Sequence, residues 1–529
     1  MELLKRNIHM NQVKCSSMVQ LTLDDDFNVP DVKPDVEWIV KEQGHVVITD
    51  VVPMDGRFQI KGKLVFNLLY ISEDRERPVH HITGEVPFEE IVNMDEIDGG
   101  ETIAVKWELE DMTASLINSR KLNVRAILTL HFCAETGYEE ETATGIEGEK
   151  GIQSKNKTIH ITNAPIVKKD TLRVKDEASL PLGKPNIEDL LYRNLELRNL
   201  ELRLLGDKLS VKGDLELFLL YAGESQETPL DYWTVIVPVS SMLECSGCRE
   251  DMIGDIGISI LSEDIAVKPD EDGEQRTLDI EAVLELDIKL YEEEEIELLE
   301  DFYSTTQILS PVKKEAHYKN LLMKNASKLR LSENIRLEQG QLPILQVCNV
   351  SGSVKLDEEK IEESGIRVEG VLEVQVLYIT EDDLRPVNSM KQSIPFEQLI
   401  EVKNIKPDST FDIRPFVEQL STLMVSADEL EVKASLGLEA LVFDSLKEEI
   451  ITEIKEEGSL LDKLSELPGL VGYIAGEKES LWDIAKAFNT TLESIMELNE
   501  LETEAVKPGD KLLLMKQVDS IPLLQETPR

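Results

Sequence analysis

The sequence predicts a multi-domain, mainly β protein, with three antiparallel β, sandwich-like repeat domains followed by a small β-α-α-β module. Three observations predict it. One strand pattern recurs three times in register. Within each copy, apolar and polar residues alternate with a period of two. Near residue 480 the spacing becomes helical and is flanked by two short apolar runs. The boundaries that follow are 1–145, 165–300 and 320–455 for the repeats and 470–517 for the last module. A chain of 529 residues accommodates that number, at about 100–200 residues per domain.

The repeat is defined by three gap-free segments, which begin IKGKLVFNLLY at Ile60, VKGDLELFLLY at Val211 and VEGVLEVQVLY at Val368. A glycine recurs at Gly62, Gly213 and Gly370, a tyrosine at Tyr70, Tyr221 and Tyr378, and a proline at Pro87, Pro238 and Pro395. Repeats at a fixed offset are the signature of one structural unit used several times. In the middle copy Val211, Gly213, Leu215, Leu217, Leu219 and Tyr221 fall on one face and Lys212, Asp214 and Glu216 begin the other. Side chains of a strand alternate faces, so the pattern is that of a half-buried antiparallel sheet. The inward glycine reads as a bulge or a close-packed neighbour rather than a ligand contact. The tyrosine reads as a core residue with its hydroxyl satisfied.

Each copy has a second matching strand, from Leu122, Leu278 and Leu430, with alanine at Ala126, Ala282 and Ala434. The proline-to-alanine spacing is 39, 44 and 39 residues, so the middle copy carries an insertion of five. The first two copies share the lead-ins VPDVKPDVEWIV and LPLGKPNIEDLL, while the third has only a trace near Pro343. A short helical element is expected near PFEEIV or KPDVEWIV. The polar stretch TATGIEGEKGIQSKNKT reads as a linker, YEEEEIELLEDFY as a solvated charge run closing the second copy, and KEEGSLLDKLSELPGL as the lead into the final module.

In the final module, GYIAG reads as a short strand. Ser480 is placed to cap a helix whose Leu481, Ile484, Ala485 and Phe488 share a stripe. Thr490 or Thr491 caps a second helix carrying Leu492, Ile495 and Met496, Asn499 suits a left-handed helix end, and KLLLM closes the fold after a KPGD turn. Trp482 lies on the flank of the first stripe, where it either shields the core edge or serves as an exposed anchor for a partner.

The formal charge is −48, from 104 acidic and 56 basic residues. A field of that sign repels nucleic acid and anionic membranes and favours partners with basic patches. The start of the chain has no continuous apolar core and no small-residue cleavage site, so signal-directed export is not expected, and no run reaches the ~20 apolar residues of a membrane span. Five scattered cysteines, Cys15, Cys133, Cys245, Cys248 and Cys348, fit a reducing compartment better than a disulfide framework.

No catalytic constellation stands out, so an enzyme is not expected, nor is a cofactor. Phosphate-loop, His-Glu-x-x-His and Gly-x-Ser-x-Gly motifs are missing. DDDFNVPDVKPD begins like a calcium loop but lacks the sixth-position glycine and the closing glutamate. Cys245 and Cys248 have metal-pair spacing without a second pair or histidines nearby in sequence, so no metal site is assigned. His80 and His81 have no counterparts in the other copies and read as surface residues.

The ordered set of KPDVEWIV, the glycine-to-tyrosine strand and VPFEEIV resembles the SPOCS domain of spore-forming Firmicutes, over roughly residues 20–455. Residues 470–517 resemble a LysM domain, with Lys478-Glu479-Ser480 where that family commonly has Gly-Asp-Thr. The resemblance places a glycan- or partner-binding groove on Gly476, Glu477, Lys478, Glu479, Ser480 and Trp482 and on Asn499, Leu501 and Glu502 of the second loop. Glu500 and Glu504 add to the acidic crowding, which suits a basic protein surface at least as well as a sugar. The domain order is similar to the SipL-like family of clostridial spore-coat morphogenetic proteins. That resemblance implies a structural adaptor made in the mother-cell cytoplasm and acting at the outer surface of the forespore. Its implied partners are the coat basement-layer ATPase, docked through the LysM-like module, and other coat proteins. The alternative is a cell-wall binder whose LysM-like module holds peptidoglycan.

Overall fold

The computed structural model of the chain describes residues 1–94, 97, 102–148, 151–224, 229–459 and 469–515. Each repeat contributes six strands in two antiparallel three-stranded sheets. The first repeat has β1 (Glu2–Asn28), β2 (Val36–Met54), β3 (Arg57–Ser72), β4 (Val79–Asn93), β5 (Thr102–Asn118) and β6 (Lys121–Glu147), in orders β2-β3-β4 and β1-β6-β5. The second has β7 (Ile152–Ser179), β8 (Ile187–Leu205), β9 (Lys208–Gly223), β10 (Leu230–Glu244), β11 (Ile253–Pro269) and β12 (Gln275–Ser304) in the same arrangement. So does the third, with β13 (Gln307–Arg336), β14 (Gln346–Glu362), β15 (Gly365–Ile379), β16 (Val387–Glu401), β17 (Thr410–Ser426) and β18 (Glu429–Ser459).

Period-two alternation builds these sandwiches as expected. On β3, Phe58, Ile60, Leu64, Phe66, Leu68 and Tyr70 point inward and meet Leu122, Val124, Leu128 and Leu130 of β6 in one core. The other two repeats have matching cores. The repeated tyrosine is buried, and its hydroxyl donates to a carbonyl 36 residues earlier in every copy: Tyr70 to Pro34 at 3.0 Å, Tyr221 to Pro185 at 3.3 Å and Tyr378 to Leu342 at 3.3 Å. The third lead-in lacks the Lys-Pro pair yet is tied down at the same point. The repeated glycine is a close approach of backbones beside a bulge. A Cβ at Gly62 would lie 2.8 Å from the carbonyl oxygen of Val47, and one at Gly370 would collide with that of Lys355.

Two expectations are corrected. The PFEEIV and KPDVEWIV segments carry no helix: Val86, Phe88 and Val92 alternate inward on β4, and VEWIV opens β2. Packing of the alternating face overrides the helix propensity of the glutamates. The stretches read as linker and solvated charge run are also strand. TATGIEGEKGIQSKNKT lies on β6 and β7, apart from the turn between them, where residues 149–150 are outside the described set. YEEEEIELLEDFY lies wholly within β12, where Leu298, Leu299, Phe302 and Tyr303 are buried. Of KEEGSLLDKLSELPGL, residues 460–468 fall outside the described set.

The reason is a structure shared by all three repeats. β1, β6, β7, β12, β13 and β18 are 27 to 31 residues long, roughly 90–100 Å at about 3.3 Å per residue. Their inner halves belong to the sandwiches. Their outer halves form three two-stranded arms that pack on one another as a stalk. Ile8 and Met10 of the first repeat, Ile159, Ile161, Ile296 and Leu298 of the second, and Ala316, Tyr318 and Ile450 of the third make one cluster. The Thr142 and Tyr318 hydroxyls share a buried 2.6 Å hydrogen bond across it. A second shared cluster joins the sandwiches, with Val40, Leu69, Ile71 and Val79 against Leu191, Tyr192, Phe218, Leu220, Leu377 and Val387. Three equivalent bulges, at Ile39/Lys41, Leu190/Tyr192 and Val347/Asn349, turn β2, β8 and β14 toward this centre.

Candidate docking face of the C-terminal module

The last module consists of β19 (Leu470–Ile474), helix α1 (Leu481–Phe488), helix α2 (Leu492–Leu498) and β20 (Lys511–Met515). Its core is Ala475, Leu481, Ile484, Ala485, Ile495, Leu512 and Leu514, the stripe residues of the helices against the inward face of the two-stranded sheet. Ser480 caps α1 reciprocally: its hydroxyl accepts from the Asp483 N–H at 3.2 Å, and its own N–H donates to Asp483 Oδ2 at 3.0 Å. Thr491 caps α2 by accepting from the Ser494 N–H. The left-handed residue at the end of α1 is Asn489 (φ 52°), and that at the end of α2 is Glu500 (φ 54°), one past Asn499, whose φ is −106°. Asn499 instead staples α2 to β20, donating to the Ile495 and Leu513 carbonyls and accepting from the Leu513 N–H.

The module sits on the stalk. Trp482 is only 7% exposed, and it is β12 that covers it. Its Nε1 donates to Asp301 Oδ2 at 2.9 Å, and its ring meets Tyr303 edge-on with centroids 5.0 Å apart. Lys486 Nζ donates to both Asp301 oxygens at 2.7 Å, Tyr303 Oη donates to the Thr490 carbonyl at 2.7 Å, and Asn489 Nδ2 donates to the Ser304 carbonyl at 3.2 Å. Burial pushes the Asp301 carboxyl up, but the hydrogen bonds from Lys486 and Trp482 outweigh it and hold the group below the usual carboxylate range. Trp482 is therefore not an exposed anchor. It shields a core edge, and that edge is a joint within the chain. Asp301, Tyr303 and Ser304 escaped the sequence reading because β12 is buried on both faces there, at the adjacent pairs Leu298–Leu299 and Phe302–Tyr303, and so shows no period of two beside the acidic run.

With that side covered, the two loops expected to line a groove face outward. Glu477, Lys478, Glu479, Ser480, Glu500, Glu502 and Glu504 are exposed, Gly476 is half-buried, and Leu501 packs against the module's core. Glu479 folds back over the first loop. It accepts from the Gly476 N–H at 2.9 Å and from the Tyr473 hydroxyl at 2.8 Å, so the chain's own carboxylate uses a backbone donor of the would-be groove. Among the described residues no group of three metal-ligating side chains comes together, and no helix is long and apolar enough to cross a membrane.

The SipL, SPOCS domain family model matches residues 35–117, 186–268 and 343–425, and the LysM domain model matches residues 473–514. The three SPOCS matches run from the start of β2, β8 and β14 into β5, β11 and β17, leaving the stalk arms outside them. No curated protein and no solved structure matches the chain. SPOCS and LysM are non-catalytic binding domains, and together they fit a sporulation coat protein or a peptidoglycan-binding role. With three tandem matches to the SipL, SPOCS domain model and a LysM match after them, the chain is a SipL-like protein of three SPOCS repeats followed by a LysM domain.

Proposed function

We propose that the protein is a non-enzymatic morphogenetic adaptor of the spore coat, which docks on the coat basement-layer ATPase at the forespore surface and promotes encasement. The observation that carries this reading is the fixed seat of the LysM domain on the stalk, which leaves its two acidic loops outward. The repeat units 1–145, 165–300 and 320–455 form the body that holds this domain at its end and meets other coat proteins. Mother-cell cytoplasm is the compartment this role requires.

The docking surface consists of Glu477, Lys478, Glu500, Glu502 and Glu504, and a basic patch on the ATPase would complement it. Trp482 is left out of that surface. The LysM match favours a second reading, peptidoglycan binding, but the engagement of the Gly476 N–H by Glu479 supports a protein partner over a sugar.

The test uses the full chain with Glu477, Glu500, Glu502 and Glu504 changed together to lysine. Co-purification with the ATPase should fall at least tenfold, through slower association, and its salt dependence should flatten. Peptidoglycan pelleting is measured in parallel. Unchanged ATPase affinity, together with pelleting on purified wall that the substitutions abolish, would replace the adaptor reading with the wall-binding one.

A further inference from the structure

At the turn that follows β10 the repeats keep the same backbone and change the chemistry. In the second repeat the Cys245 N–H donates to the Asp207 carbonyl at 2.9 Å, the Cys248 N–H to the Cys245 carbonyl at 3.0 Å and the Asp207 N–H to the Cys248 carbonyl at 3.0 Å. The first repeat has the same three bonds at Met94, Ile97 and Gly56, at 3.0, 3.2 and 3.1 Å. Met94 and Ile97 stand 151 residues before Cys245 and Cys248, the offset of the repeated glycines, and Val402 and Ile405 are the third pair. Met94, Ile97 and Val402 are buried and Ile405 packs against the third core. The fold therefore asks for two apolar plugs at this turn. Two repeats supply aliphatic ones; the middle repeat supplies two thiols, Cys245 and Cys248, both buried in its core.

We propose that Cys245 and Cys248 are a redox pair that closes to an intramolecular disulfide and reopens, a reversible staple built into the middle repeat alone. The geometry is in place. An i to i+3 turn holds its end Cα atoms within about 7 Å, which overlaps the 4.4–6.8 Å span of disulfides. Gly247 supplies the left-handed residue of the turn (φ 81°), and its N–H donates to Asp207 Oδ1 at 2.7 Å, so the turn is clamped from below. Burial, and then the adjacent Cys245, push the Cys248 thiol up. The pair is therefore slow to react at neutral pH and faster in base. Two thiolates alone make half of a tetrahedral zinc set, and no third ligand joins them among the described residues, which favours redox over metal chemistry.

The oxidant is a low-molecular-weight disulfide. One Cys thiolate attacks it, forming a mixed disulfide and expelling one small thiolate. The second cysteine loses its proton and attacks the protein sulfur of that bond, expelling the other small thiolate. Two cysteine S–H bonds are oxidised, and one small disulfide is reduced to two thiols.

Purified full-length protein is equilibrated with excess oxidised glutathione at mildly alkaline pH, quenched in acid, denatured and treated with a maleimide. Of its five thiols, two should be lost to labelling and three retained. The intact mass should fall by about 2 Da, a cross-linked Cys245–Cys248 peptide should be recovered, and dithiothreitol should restore all labels. The Cys248→Ala chain should retain a glutathione adduct or four free thiols, with no internal link. Five labels after equilibration, a mixed disulfide that never closes, or a link mapping to another pair would each overturn the proposal.

Discussion

Lys41 is the residue that the repeat pattern least prepares one for. On an alternating strand a lysine reads as solvated, yet the bulge at Val40 turns it into the centre between repeats. There its ammonium lies 4.9 Å from the centroid of the Tyr192 ring, with no hydrogen-bond partner among the described residues. Burial pulls its pKa from 10.5 to about 8, opposed only in part by Glu196. The folded state therefore carries a protonation cost, fully present below about pH 8 and removed as pH rises toward 10.5, because in that window the unfolded chain holds the proton more tightly. A shift of this size corresponds to about 3 kcal/mol. Lys41→Met should raise the unfolding free energy at pH 7 by about 1–3 kcal/mol, less the lost cation–π contact, and the gain should shrink above pH 8. Denaturant titrations of both proteins across that range check it, and a pH-independent difference would contradict it. The repeated tyrosines show the opposite case. Their burial and satisfied hydroxyls were legible in the sequence, although the carbonyls they hold were not. Tyr378→Phe should cost about 1 kcal/mol, a typical single hydrogen bond, in the same assay.

At the level of elements, strands were legible wherever a single face is buried, because alternation survives in composition. The short helix expected near PFEEIV or KPDVEWIV is missing because packing of an alternating face, on β4 and at the start of β2, outweighs local propensity. The long strands were hidden for a different reason: their outer halves bury residues against other repeats, and lateral packing leaves no periodic mark on acidic sequence. The helices of the LysM domain, with caps and stripes local to the chain, were read correctly, apart from the left-handed position. What those helices rest on was not legible. Trp482→Ala should loosen the domain from β12, with exchange of α1 amides rising tenfold or more in the full chain, as expected for loss of a buried aromatic costing about 2 kcal/mol or more. Asp301→Asn should do the same at neutral pH. In the unmodified protein the Asp301 contribution is present above pH 3.8 and is lost as pH falls through its lowered value, so release of α1 should need strong acid. Protection of α1 that is unchanged in both variants would show that the joint does not depend on these groups.

Across the whole molecule, a charge of −48 opposes compaction, and the inter-repeat ion pairs, such as Arg414 with the buried Asp255 at 2.7 Å, offset it only locally. Added salt should therefore stabilise. Taking the Debye length from about 30 Å at 0.01 M to about 8 Å at 0.15 M should raise the thermal midpoint, and a fall would mean that the ion pairs dominate. The three arms of the stalk have a further consequence for synthesis. Each sandwich is finished by strands from its own repeat, but the stalk cluster draws on the first, second and third repeats together. A nascent chain that has emerged only through β12 would have Ile8, Met10, Ile159, Ile161, Ile296 and Leu298 in an open apolar trough. Translation of the third repeat, through Ile450 on β18, closes it. β1 thus waits for the third repeat, and a ribosome stalled between the second and third repeats would display an adhesive, chaperone-binding intermediate instead of two finished domains.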